Sequence, residues 1–240
     1  MNIQKIKIPV NEDTILAGMF LTNSAFFGKR PVILVIHGWT SSMVRYPARV
    51  ESLIDVGYSA LLFDLRGHGE SDGQLGNLSP HDHFNDCLAA YDNMIAMENA
   101  DVDNISVIGS SYGGYLASLL IAKRKVHHLV LSVPALYPNS IFDNPKGLQR
   151  SEETTNYRTE FHFAKDDFAL HAVNQFKGDL LFIQAEKDEI LSPTVMECYK
   201  KAAQVHYTYK EIKGSDHAMH TPGANEERMK IQKEWFNQFI

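Results

Sequence analysis

The sequence predicts an α/β fold, with a mostly parallel central sheet, helices on both faces and an antiparallel hairpin at one edge. Three observations carry this expectation. From Pro31 onward short, nearly continuous apolar runs recur; segments with apolar residues three and four apart separate them; and strand and helix patterns alternate as right-handed βαβ crossovers require.

The elements follow in chain order. "IQKIKI" and "ILAGMFLT" carry strand-like residues on either side of "PVNEDT", whose Pro9, Asn11 and Asp13 are turn formers, and so read as a hairpin. Parallel strands are expected at 31–38, 58–65, 105–110, 127–134 and 179–186, where the runs are apolar enough to be covered on both faces. Helices are expected at 46–56, 80–99, 112–124, 193–203 and 225–239, and "VHYTYKEIKG" reads as a last strand before the final helix. Residues 136–176 break the rhythm, mixing charges with Tyr137, Phe142, Tyr157, Phe161, Phe163, Phe168 and Phe176 over a longer stretch than a connection needs, so a small inserted lid is expected there. Its aromatics divide between local packing and the lining of a pocket.

The chain has 240 residues, 44% of them hydrophobic, which suits a single α/β domain over 1–240. A net charge of -6, with charges of both signs mixed along the chain, offers no basic footprint for nucleic acid. No window has the roughly 18 apolar residues of a membrane span, and the N-terminus lacks the pattern of a signal peptide, so a cytoplasmic protein is expected. Cys87 and Cys198 each fall in a helical pattern without CxxC spacing and read as buried free thiols. Oligomeric state is not legible.

The chemistry is concentrated in "VIGSSYGG". Gly109, Ser110, Ser111, Tyr112 and Gly113 fit GxSxG between an apolar strand and an amphipathic helix, the context in which the pattern forms a nucleophile elbow. Ser111 is then the nucleophile, and it requires a base, an orienting acid and oxyanion donors. Asp188 lies in the loop after "DLLFIQAE", with Glu186 and Glu189 as rivals; His217 lies in "GSDH", with His220 as its rival. Asp216, next to His217, is expected to point away from the ring. Gly38 in "IHGWTSS" lets the Trp39 amide turn toward the site, and the Tyr112 amide is the second oxyanion donor.

These segments resemble the α/β-hydrolase family, in particular its small single-domain esterase and serine-aminopeptidase-like branch, over nearly the whole chain. "HGWTSS", "FDLRGHGESDG", "IGSSYGGYLAS", "DEILSP" and "GSDH" fall where that branch has its recurring motifs, and "SSYGGY" also resembles the elbow of prolyl-oligopeptidase-like peptidases. The resemblance implies Ser111 as nucleophile, Asp188 as acid, His217 as base, and the Trp39 and Tyr112 amides as oxyanion donors. Two positions depart from it: Glu186 stands where a glycine is frequent, and Ser110 where histidine is frequent.

Other motifs read as structural. "DLRGHGESDG" lacks the P-loop pattern, so Arg66 and His68 are expected to hold a turn near the site. His81 with His83, and His127 with His128, lack a third metal ligand at local spacing. Arg45 reads as a solvated arginine, with a substrate carboxylate as its alternative partner, and Glu152, Glu153 and Glu160 read as surface charges paired with Arg150 and Arg158. The expected activity is hydrolysis of a small carboxylic ester through an acyl-enzyme, a reaction that requires no metal or organic cofactor. A peptidase, amidase or thioesterase on the same triad is the alternative, and a non-catalytic ligand-binding relative the further one.

Overall fold

In a computed structural model the described residues are 1–145, 152–204 and 206–240. Among them the strands form an eight-stranded sheet in the order β1-β2-β4-β3-β5-β6-β7-β8. β1 (Asn2–Asn11) and β2 (Thr14–Thr22) make the edge hairpin; β2 pairs antiparallel with β4 (Ser59–Phe63). β3 (Arg30–Ile36), β4, β5 (Ala100–Ser110), β6 (His128–Ser132), β7 (Asp179–Ala185) and β8 (Thr208–Ile212) run parallel. This is the α/β-hydrolase fold.

The apolar runs are continuous because each strand feeds two cores. In β3, Val32, Leu34 and Ile36 pack on the face covered by α2 (Pro80–Ile95), α3 (Tyr112–Leu120), α5 (Phe168–Gln175) and α6 (Pro193–Ala203). Ile33 and Val35 pack on the opposite face, under α1 (Pro47–Ile54) and α7 (Ala224–Phe236). Helix starts follow their caps. Ser79 and Asp82 form a reciprocal capping box on α2, and Ser192 caps α6 ahead of Pro193.

The helix expected at 112–124 ends at Leu120, and two further boundaries, the start of β5 and the end of α2, differ from expectation for one reason. β5 begins five residues before the apolar run because Arg30 and Pro31 of β3 pair with Ala100 and Asp101 across a bulge, which leaves α2 to end at Ile95. The polar Asp101, Asp103 and Asn104 at this sheet end conceal the strand from a hydrophobicity reading. Within 136–176 the described residues contain a 3-10 turn at Asn139–Ile141, α4 (Glu152–Tyr157) and α5. Tyr137 is buried edge-on against Tyr112 and Tyr115, with ring centroids 5.6 and 5.0 Å away, and the Arg158 guanidinium lies over its ring at 4.4 Å. Arg158 thus turns inward, its Nε donating to Leu136 O, instead of pairing with the glutamates; Glu153 accepts from Ser140 Oγ, and Arg150 lies outside the described residues. Cys87 and Cys198 are buried and free, and among the described residues no helix is long and apolar enough to cross a membrane.

Buried polar groups tie the loops at the carboxyl ends of β3 and β4. Arg66 is bound by buried Asp86 through Nε at 2.7 Å and Nη2 at 2.6 Å. His37 accepts the Leu65 N–H at Nε2, and His83 bridges the Tyr112 hydroxyl and Arg66 O. A ring nitrogen that accepts carries no proton, so His37 is neutral. Burial is the main cause that pulls His37 from 6.5 to about 4 and His83 to about 3. Between pH 6.5 and about 4 the unfolded chain therefore binds protons that the folded chain refuses. The contribution of each histidine is undiminished above that window and falls as pH drops through it, by up to about 1.4 kcal/mol per pH unit, while Asp86, which burial pushes up to about 6, contributes in the opposite sense below that pH. Urea unfolding at pH 7.5 and 5.0 checks this, and His83→Gln, which keeps one donor and one acceptor, is expected to flatten the slope.

Candidate active site

β5 delivers the chain to Ser111 and α3 leaves from Tyr112, so one residue makes the whole turn. Ser111 has φ 53° and ψ -115°, a conformation an L-residue adopts only when its surroundings hold it, at a cost of order 1–3 kcal/mol. The restraint is visible. Ser111 N–H donates to Ser132 O, while its carbonyl accepts from the N–H groups of Gly114, Tyr115 and Ala135. The glycines provide clearance: a Cβ at Gly109 would lie 2.4 Å from Gly113 O, and one at Gly113 would lie 2.2 Å from Ile36 O. Backbone approaches backbone this closely only where side chains are missing, and glycines flank the serine for that reason.

His217 reaches the serine from the loop after β8. Its Nε2 is 2.9 Å from Ser111 Oγ and its Nδ1 is 2.7 Å from Asp188 Oδ2. The Asp188 carboxylate accepts at Nδ1, so Nδ1 carries the proton and Nε2 is the acceptor that faces the hydroxyl. Asp188 is fixed in turn by the N–H groups of Ile190 and Leu191, each 2.9 Å from Oδ1. The rivals have other work. Asp216 Oδ1 accepts from the N–H groups of His220 and Thr221, holding the loop, and Glu189 Oε2 accepts the His217 N–H. Glu186, at the position where the related branch often has glycine, accepts the Gly214 N–H and pairs with Lys213, joining the acid loop to the histidine loop.

The loop after β3 forms the other wall. Gly38 N–H donates to Tyr46 Oη, and Thr40 N–H to His68 Nε2. Asp64 accepts the N–H groups of Met43 and Glu70, clamping this loop to the "DLRGHGESDG" turn. Arg66 and His68 are buried in that turn. Trp39 packs edge-on against Tyr112, with ring centroids 5.4 Å apart. Among the described residues neither the Trp39 nor the Tyr112 N–H donates to another group of the protein. A cavity of about 180 Å³ opens here, lined by Trp39, Ser111, His217, Arg45, Arg49 and Arg228 among others, and no aromatic residue from the described part of 136–176 lines it. The histidine pairs are used elsewhere: His81 binds Asp143, His127 accepts the Ile105 N–H, and His128 stacks on Phe239 and contacts Asp179.

Sequence reasoning missed Asp64, the brace role of Glu189, and the pair Arg49 and Arg228. Asp64 stands within a recognised motif, and Glu189 is visible in the sequence only as a rival acid. Nothing local marks Arg49 or Arg228, which meet across two helices far apart in the chain.

A family model described as serine aminopeptidase, S33, matches residues 28–158, and the chain belongs to this family of α/β hydrolases. It is 36% identical over 100 residues to an acylamino-acid-releasing enzyme of Arabidopsis thaliana, covering 39% of this chain and 13% of that protein. It is 26% identical over 197 residues to a Mycoplasma genitalium protein named "Putative esterase/lipase 3", covering 77% of this chain and 65% of that protein. The chain thus spans from 13% to 65% of the length of these curated relatives. Its fold is shared with Est1E from Butyrivibrio proteoclasticus, solved with ferulic acid bound, at a TM-score of 0.77 and 19% identity over 97% of this chain and 98% of that one. The Pyrococcus furiosus esterase Pf2001 shares it at a TM-score of 0.71 and 20% identity over 99% and 91%.

The turn geometry makes a stability test. Gly113→Ala forces a Cβ into Ile36 O and is expected to cost about 3 kcal/mol or more, whereas Gly76→Ala, with nothing within 4 Å, is expected to be near neutral. Denaturant midpoints compare the two.

Proposed function

We propose that the protein is a serine hydrolase that cleaves a small carboxylic ester, with Ser111 as nucleophile, His217 as base and Asp188 as the acid that orients it. The observation that carries this reading is the continuous chain of contacts from Asp188 through His217 to Ser111 Oγ, at 2.7 and 2.9 Å. His217 Nε2 takes the hydroxyl proton as Oγ bonds to the ester carbon, and the developing oxyanion is met by the N–H groups of Trp39 and Tyr112. Collapse breaks the bond to the alcohol, which leaves with the proton from Nε2. Water then attacks the acyl-enzyme by the same route and frees the acid.

The family description favours an aminopeptidase as the second reading. Its substrate carries a free ammonium, for which a carboxylate wall is needed. The described lining of the cavity contains Arg45, Arg49, Arg228 and no aspartate or glutamate, which favours an ester over an aminoacyl substrate. We read 136–176 as a small insertion within a single domain, anchored by Tyr137 on the helix that follows Ser111. The buried free thiols fit a reducing compartment such as the cytoplasm.

Two variant pairs test the roles. Ser111→Ala is expected to lower kcat by about 10⁴ or more and to abolish labelling by a fluorophosphonate probe, while Ser110→Ala stays close to the parent. Asp188→Asn is expected to lower kcat by about 10³ or more by favouring the wrong imidazole tautomer, whereas Glu189→Gln, which keeps an oxygen for the His217 N–H, loses little. Steady-state kinetics on a p-nitrophenyl ester reads both; equal losses in either pair overturn the assignment.

A further inference from the structure

The cavity beside Ser111 has a second chemical character that ester cleavage alone does not require. Arg228, on α7, is only 4% exposed, yet its Nε has no hydrogen-bond partner; its Nη2 donates to Asn225 Oδ1, a neutral acceptor. Arg49, on α1, faces it with like charge and lies 4.5 Å over the Tyr46 ring. Arg45 joins them from the 3-10 turn Met43–Arg45. Arg66 and Arg124 have carboxylate partners, Asp86 and Asp92, whereas Arg30 and Arg158 donate to backbone carbonyls. Among the described residues none of the three cavity arginines has a carboxylate within ion-pair distance.

A buried, unmatched guanidinium is costly. Burial and the neighbouring Arg49 together pull the Arg228 pKa down to about 9, so it remains a cation at neutral pH. The missing partner is an anion, and the guanidinium fork is suited to a carboxylate. The wall is joined to the reacting atoms, because Tyr46, under Arg49, accepts the Gly38 N–H of the loop that carries Trp39. A space of about 180 Å³ suits a short chain that ends in a charged group and not a long acyl tail.

We propose that Arg228, Arg49 and Arg45 form an anion subsite for a carboxylate borne by the substrate, so that the preferred substrates are short acid-bearing esters such as half-esters of dicarboxylic acids. This rests on Ser111 as nucleophile, and it adds the group that the ester must carry. The carboxylate enters ionised, pairs with the arginines and leaves unchanged; the ester bond is the one broken.

The experiment compares kcat/KM for matched neutral and charged esters: methyl butyrate against monomethyl glutarate for a charge on the acyl side, and phenyl acetate against 4-acetoxybenzoate for one on the alcohol side. The charged member of at least one pair is expected to be preferred by about ten- to a hundredfold, chiefly through KM, with the preference shrinking as salt rises. Arg49→Gln and Arg228→Lys are expected to lower that charged-to-neutral ratio by about tenfold; if the buried Arg228→Lys does not fold, Arg49→Gln decides. A ratio near one in both pairs, with Ser111 still labelled by a fluorophosphonate, overturns the subsite and leaves the hydrolase reading standing. Absence of labelling and of all turnover overturns the hydrolase reading. The subsite is then judged by glutarate alone, which is expected to raise the melting temperature of the parent and not of Arg49→Gln; equal shifts, or none, overturn it.

Discussion

The site depends on one strained residue. Ser111 turns the chain from β5 into α3 within a single positive φ, and the turn persists because the backbone on both sides is tied down and because two missing side chains leave the helix room to approach β3. β5 lies between β3 and β6, so the elbow is held from both flanks, by the pairing of Ile36 with Gly109 on one side and by Ser132 O, which accepts the Ser111 N–H, on the other.

Around this point the molecule separates rigid functions from adjustable ones. Asp64, His37 and Arg66 with Asp86 are buried and used in joining loops, and removing Asp86 takes from the Arg66 guanidinium its buried counter-charge. Glu186 and Glu189 perform a similar service at the surface, each accepting a backbone N–H in the histidine loop. The arginine wall differs. Arg49 and Arg228 sit on α1 and α7, on the face of the sheet opposite α3, and Arg45 on the 3-10 turn before α1. Residues on those helices can therefore vary while the turn at Ser111 remains as it is.

Much of this is legible in the chain. The apolar runs announce the parallel strands because burial on both faces removes polar alternation, and GxSxG between a strand and a helix marks the elbow. Asp188 and His217 are marked by their place just past strand ends, and the structure brings Asp188 to His217 and His217 to Ser111. What is not legible depends on distant partners. The first half of β5 is polar because it lies at the exposed sheet end, and only its pairing with Arg30 and Pro31 makes it a strand. Arg228 occurs among Glu226, Glu227 and Lys230 and so has the local look of a solvated helix face; its burial arises from the packing of α7 against α1. Arg158, with glutamates near it in the chain, has the local look of a surface partner for them, and only the fold places Tyr137 beneath it.

The order in which the chain supplies the site has a consequence for its biosynthesis. Ser111 is complete once β5 and α3 exist, but His217 follows β8, and the helix bearing Arg228 comes after that. A growing polypeptide that has made its serine thus has neither the imidazole beside it nor the last helix over the sheet. The contact between Ser111 Oγ and the imidazole can therefore form only when the final quarter of these residues has docked on the sheet.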